Sequence, residues 1–137
     1  MKRKIIAIVV ALVVSIITFI AYKTLTWEHY SREFLPDTAS DIRDHRTDLF
    51  PSDFLDCMTA RITAGEYDKY IQKLNTVSTW SSPLTARPDQ SFTGFSDAPI
   101  WWTPPSSNQT TKYRKQGSTV EIVTYADGLV YYMTWET

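Results

Sequence analysis

The sequence predicts an α+β protein, with a single N-terminal transmembrane helix followed by a small antiparallel sheet, one packed helix and a C-terminal β-hairpin. Three stretches carry that prediction. Ile5 to Tyr22 lies between Lys4 and Lys23 without a charge, and Ser15 and Thr18 are its only polar side chains before Tyr22. Thr63 to Leu74 opens on a capping box and then repeats apolar residues at the helical period. Thr119 to Trp135 sets two β-branched and aromatic runs on either side of Asp127-Gly128, a favoured two-residue turn. The expected organisation is a basic tip and anchor over 1–22, a juxtamembrane stalk over 23–35 and an extracytoplasmic domain over 36–137.

At 1.5 Å per residue the apolar run makes a helix of about 27 Å, enough to cross a hydrocarbon core with little tilt. Lys2, Arg3 and Lys4 crowd its short N-terminal side, and positive residues beside a membrane helix stay cytoplasmic. The expected location is therefore the cell membrane, single-pass, with a cytoplasmic N-terminus and a periplasmic or extracellular domain. A cleavable signal peptide is the rival reading. The apolar core exceeds the usual length of about 7 to 15 residues, and Phe19-Ile20-Ala21-Tyr22-Lys23 lacks a small-x-small cleavage site, so a retained anchor is expected. Cys57 lies too far downstream to carry a lipid beside the apolar run.

The net charge of −1 hides an asymmetry: of 14 Lys and Arg, three precede the anchor, leaving 11 against 15 Asp and Glu beyond it, a net of −4. That balance argues against nucleic acid, which requires a basic surface. A single cysteine excludes an intrachain disulfide and a cysteine-rich zinc site. The exported part must rely on its core, and aromatic residues, 14% of the chain, can supply one because each large ring buries about 150–250 Å².

Beyond the anchor, Lys23 to Phe34 holds Trp27, Tyr30 and Phe34 among charges, an arrangement suited to a membrane interface. His29 reads as a surface residue. Leu35-Pro36-Asp37 interrupts any helix. Ala39 to Arg46 is a polar edge strand, since charges protect an edge from pairing. Phe50-Pro51-Ser52 marks a turn. Asp53 to Ile62 reads as a strand apolar on both faces, with Asp56 discordant. A helix starts at Ala64 behind Thr63 and Glu66, lays Tyr67, Tyr70, Ile71 and Leu74 on the sheet, and ends near Asn75. Residues 76–109 lose periodicity and contain Pro83, Pro88, Pro99, Pro104 and Pro105. Trp80, Phe92, Phe95, Trp101 and Trp102 are the wrong composition for a solvated linker, so this loop is expected to fold back over the sheet. Lys112 to Lys115 begins a strand. In the final hairpin Ala126 faces Leu129, so Ile122 opposes Met133, Val120 opposes Trp135 and Val123 opposes Tyr132. The face of Val120, Ile122, Met133 and Trp135, alongside Tyr131, is assigned to the core.

Leu35-Pro36-x-x-Ala39-x-x-Ile42, the passage from Arg61-Ile62-Thr63 through Tyr70-Ile71, Trp101-Trp102-x-Pro104 and the Tyr-rich hairpin span nearly all of the exported portion. In these motifs the chain resembles a group of small, functionally uncharacterised bacterial exported or lipoprotein-type domains. The resemblance implies an α+β fold and residence in the cell envelope, and no activity or site residue. A plain apolar anchor stands where many such proteins use a lipid-bearing cysteine.

Cys57, His45 and Asp44 have the residue types of a thiol nucleophile, base and orienter, yet a lone cysteine in an apolar strand is more often a small buried hydrophobe. Two histidines 16 residues apart make no zinc pattern. Asp41, Asp44, Asp48, Asp53 and Asp56 lack the glycine and terminal glutamate of a calcium loop and read as solvated strand and turn residues. Asn108-Gln109-Thr110 is a formal glycosylation sequon, relevant only in a eukaryotic secretory protein. No catalytic residue, metal or cofactor is expected. Trp80, Trp101, Trp102 and Tyr113 are the candidate binding residues, because aromatic rings concentrate binding energy. The expected function is a membrane-anchored extracytoplasmic interaction or accessory domain with an envelope protein or polymer as partner. The alternatives are a superinfection-exclusion or immunity-type membrane protein and a small envelope hydrolase or thiol enzyme.

Overall fold

The structure is a computed structural model that describes residues 2–26, 30–49, 53–86, 92, 98–106 and 109–136. Its framework is the C-terminal hairpin. Asp127 and Gly128 both take positive φ, 53° and 80°, as a two-residue turn matched to the twist of its strands requires. Strand β5 (Thr119–Ala126) therefore folds directly onto β6 (Leu129–Glu136), pairing Val120 with Trp135, Ile122 with Met133, Val123 with Tyr132 and Ala126 with Leu129. Gly117, at φ 60°, turns β4 (Lys112–Gln116) onto the other side of β5.

The remaining strands extend this pair. β1 (Ser40–Leu49) and β2 (Asp53–Arg61) form a second hairpin that docks β2 on β6, and the short β3 (Thr85–Ala86) pairs with β4. The result is one antiparallel sheet of six strands in the order β1-β2-β6-β5-β4-β3. β1 lies at one edge, as its charges predict. The segment 76–109 supplies β3, which sequence periodicity missed because two residues carry no period. The expected Phe50-Pro51-Ser52 turn lies outside the described residues.

Both faces of the sheet are covered. On one, Met58, Ala60, Val123, Val130 and Tyr132 meet helix α3 (Ala64–Leu74) through Tyr67, Tyr70 and Leu74. Thr63 caps that helix as expected: its hydroxyl accepts from the Glu66 amide at 3.3 Å, and Glu66 Oε2 accepts from the Thr63 amide at 2.8 Å. Asn75 closes it and uses its side chain to accept from the Leu84 amide at 2.8 Å. On the opposite face, Leu55, Cys57, Val120, Ile122, Tyr131 and Met133 pack against Phe92 and Trp102 from the aromatic loop. The core is thus double-sided, whereas the hairpin pattern alone had assigned one face.

The packed domain also begins earlier than expected. The one-turn helix α2 (Tyr30–Glu33) and Phe34 and Leu35 lie in the stretch read as a stalk, yet Leu35 is buried and Tyr30 and Phe34 pack on the helix-side core. Tyr70 donates to the Ser31 carbonyl at 2.9 Å, which ties this strap to α3. Trp27 and His29 lie outside the described residues.

Helix α1 runs from Lys2 to Thr26. Twelve of its large apolar side chains, from Ile5 to Ile20, are each 48–65% exposed, and they occur on every side of the helix. Two hydroxyls bond back along the helix: Ser15 donates to the Ala11 carbonyl at 2.9 Å and Thr18 to the Val14 carbonyl at 2.8 Å. Over the described residues, no helix is long and apolar enough to cross a membrane. Within α1 the described side chains run unbroken only over 8–21.

Candidate functional site

The aromatic loop places a turn on the sheet face opposite α3. The Trp102 amide donates to the Pro99 carbonyl at 2.8 Å, closing residues 99–102 into a tight reversal. Trp102 is 8% exposed and meets Phe92 and Tyr131 edge-on, each with ring centroids 5.9 Å apart. Contacts of this geometry add about 0.5–1.5 kcal/mol each beyond simple burial. Trp101 is half-buried, its ring nearly perpendicular to that of Trp102 at 6.2 Å. Ile100, at the tip, is fully exposed at 101%. The sequence carries no charged residue between Asp97 and Lys112.

Of the four candidate binding residues, three share this face and one does not. Tyr113 opposes Ile122 across β4 and β5 and packs against the same cluster as Trp101 and Trp102. Trp80 lies on the helix side, where its ring sits 4.4 Å beneath the Arg114 guanidinium and its Nε1 donates to Tyr30 Oη at 2.9 Å. The four therefore do not form one patch. Ile100 is the exposed member that sequence reasoning missed. The proline-rich, aperiodic context contains no signal that one aliphatic residue would stand clear.

The thiol constellation is not assembled. Cys57 is fully buried and opposes His45, but its sulfur lies 3.7 Å from the His45 carbonyl oxygen. Burial first, and the charge of Asp56 second, push its thiol up to about 12. Asp44 points to the other face of β1 and pairs with Arg32 at 2.6 Å. Asp41 pairs with Arg61 at 3.1 Å. Among the described residues no cluster of His, Cys, Asp and Glu could hold a metal ion.

What the sequence concealed is a charged row beneath α3. Pairing sets Arg114 against Glu121, Glu121 against Thr134, Thr134 against Asp56 and Asp56 against Arg46, crossing five strands. Arg114 and Glu121 form an ion pair whose side chains are 1% and 0% exposed. Glu121 Oε1 accepts from Tyr132 at 2.7 Å and from Tyr30 at 2.9 Å, and Arg114 Nη2 donates to the Leu74 carbonyl at 3.0 Å. Burial, then the Glu121 charge, push the Tyr30 phenol up to about 12. Tyr30 thus joins the strap to the buried ion pair.

No known protein family, curated protein or solved structure matches the chain.

Proposed function

We propose that the chain is a single-pass membrane protein whose α+β domain is an extracytoplasmic interaction or accessory module, presenting the loop tip of Ile100 and Trp101 to an envelope partner. The observation that carries this reading is the apolar exposure of α1 on all sides. A helix hydrophobic all round needs an apolar medium around it. At roughly −0.3 to −0.6 kcal/mol for each such residue near a bilayer centre, twelve contribute on the order of −4 to −7 kcal/mol. The inward-bonded hydroxyls of Ser15 and Thr18 suit lipid, where unpaired polar groups are costly. The run of described side chains is shorter than a span, but α1 as a whole has 25 residues and the sequence is uncharged between Lys4 and Lys23.

Four residue steps separate Thr26 from Tyr30, a reach of at most about 15 Å. The domain therefore stays within that reach of the anchor, and the strap that leads into it packs on the α3 side of the sheet. The tip of Ile100 lies on the other face, which supports contact with a separate partner. The test is topology in a bacterial host. Alkaline phosphatase fused after Thr137 should be active, and the chain should resist carbonate extraction from membranes. A mature protein beginning near Lys23, or a carbonate-soluble full chain, would overturn the anchored reading.

A further inference from the structure

Beyond a loop-borne partner, we propose that the edge strand β1 is a self-association surface, joining two copies of the chain through antiparallel β1–β1 pairing centred on His45. The order of the sheet leaves β1 paired on one side by β2, and among the described residues no strand covers its other side. Ser40 to Asp44 are exposed, including Ile42 at 38%. A strand edge of this kind presents alternate amides and carbonyls outward, and the charges that protect it from indiscriminate pairing restrict which strand and which register it accepts.

Geometry then restricts the register. Two antiparallel edge strands related by a two-fold have that axis perpendicular to the sheet, so opposed residues must point to the same face. In β1, Asp44 and Arg46 lie on the face of Met58 and Asp56, while His45 and Thr47 lie on the face of Cys57 and Leu55. Only pairings centred on a residue satisfy this. Centring on Arg43, Asp44, Arg46 or Asp48 stacks a charge on its own copy. Centring on Thr47 overlaps only residues 45–49. Centring on His45 overlaps the strand over 41–49, setting Asp44 against Arg46 of the second copy twice on one face and Arg43 against Thr47 twice on the other.

The bulge between Ser40 and Arg43, with Asp41 at φ 49°, blunts one end and leaves residues 43–47 as the regular centre. The charges thus act as register selectors against centring on Arg43, Asp44, Arg46 or Asp48, while the short overlap disfavours centring on Thr47. Asp44 already accepts from Arg32 at 2.6 Å, but a carboxylate has capacity for further donors. Arg46 lies 5.9 Å over the Phe54 ring of β2, so its guanidinium has to turn outward to meet Asp44 of the second copy.

The same axis makes the assembly compatible with anchoring. A two-fold perpendicular to the sheet turns both Tyr30 straps to one side and both Ile100 tips to the other. Both anchors could then enter one membrane, where confinement raises the effective concentration of a short interface. The pairing itself does not depend on the anchor.

The test uses the full chain, in native membranes and in detergent, with single cysteines at 45 or 47 and mild copper-phenanthroline oxidation. Both are built on a Cys57→Ala background, because Cys57 directly opposes position 45 within the chain and would otherwise capture the new thiol. Residues opposed across a two-fold have Cβ atoms about 4.5–5.5 Å apart, within reach of a disulfide. His45→Cys should therefore give a covalent dimer and Thr47→Cys should give little. Asp44→Arg should lower the cross-linked fraction at 45 several-fold, and adding Arg46→Asp should restore it without restoring the Arg32 contact. Absence of the dimer at 45, equal yields at 45 and 47, or a yield greater at 47 would each overturn the proposal. So would a charge reversal without effect. None of these outcomes bears on the phosphatase and extraction results, so the two readings fail separately.

Discussion

The two faces of the sheet solve the same packing problem with different materials. Both hold rings and aliphatics, but one is roofed by an amphipathic helix and hides a charged row, while the other is roofed by an irregular loop and buries only threonines as its polar strand residues. A helix satisfies its own backbone, so α3 can cover strand side chains that are themselves polar. The ends still need partners, and Arg114 meets one of them by donating to the Leu74 carbonyl in the last turn of α3. A loop has no such internal pairing and must be held by side-chain burial. The aromatic cluster of Phe92, Trp102 and Tyr131 serves that purpose. The helix face is therefore specified by polar contacts, and the loop face by volume.

The sharpest way to break this comparison is to remove one anchor from each face. Glu121→Leu deprives buried Arg114 of its partner and leaves Tyr30 and Tyr132 without their common acceptor. Breaking a buried pair in this way costs about 3–5 kcal/mol. Adding Arg114→Met should recover most of the loss, because two apolar residues leave no uncompensated charge. Trp102→Ala on the other face should cost about 3–5 kcal/mol through lost volume. Its Nε1 is buried without a partner among the described residues, so Trp102→Phe, which also removes that donor, should cost far less. Chemical denaturation reads all four variants. A Glu121→Leu change below about 1 kcal/mol would show that polar contacts do not specify the helix face.

A smaller effect comes from alkaline pH, and it too belongs to one face. Tyr30 is pushed up to about 12 by burial and then by Glu121; Tyr67, Tyr70 and Tyr132 are raised as well, with burial the leading cause. All four belong to the helix side. The unfolded chain releases phenolic protons near pH 10, while the folded chain holds them. Above that pH the unfolded state binds fewer protons, so stability is whole below about 10 and falls as pH rises through about 12. Phenolate absorbance followed together with circular dichroism should show these tyrosines ionising only as the fold is lost. A folded protein in which every tyrosine titrates near 10 would remove the buried network from the argument.

Legibility in the sequence follows the same division. The capping box of Thr63 and Glu66, the apolar stripe of α3 and the Asp127-Gly128 turn are local, so neighbouring residues reveal them. The turn also determined the hairpin register, since one residue of slip would exchange the faces. The charged row was not legible, because Arg114, Glu121, Asp56 and Tyr30 lie on four elements and each looks ordinary in its own. Register alone brings them together. Residues 30–35 read as a stalk because their mix of rings and charges suits an interface as well as a docked strap. That one of the adjacent Trp101 and Trp102 would anchor the loop while the other stayed available was legible, since neighbours in an extended segment point to opposite sides. Which of them does so, and the exposure of Ile100, depend on how the chain turns at Pro99.

The smallest expected change in stability lies at the tip of the loop, and it sharpens the comparison most. Ile100 has no surface to lose, so Ile100→Asp should leave stability within about 0.5 kcal/mol. Its neighbour two residues on carries the packing. If the loop face both anchors itself and presents a tip, Ile100→Asp should weaken retention of partners recovered from native membranes without shifting the denaturation midpoint. Trp101→Ser, half-buried against Trp102, should show part of each effect. The distinction depends on matched folded fractions, which the midpoint supplies. Should Ile100→Asp leave retention unchanged, the exposed isoleucine is a by-product of a tight turn, and the loop face is a second core alone.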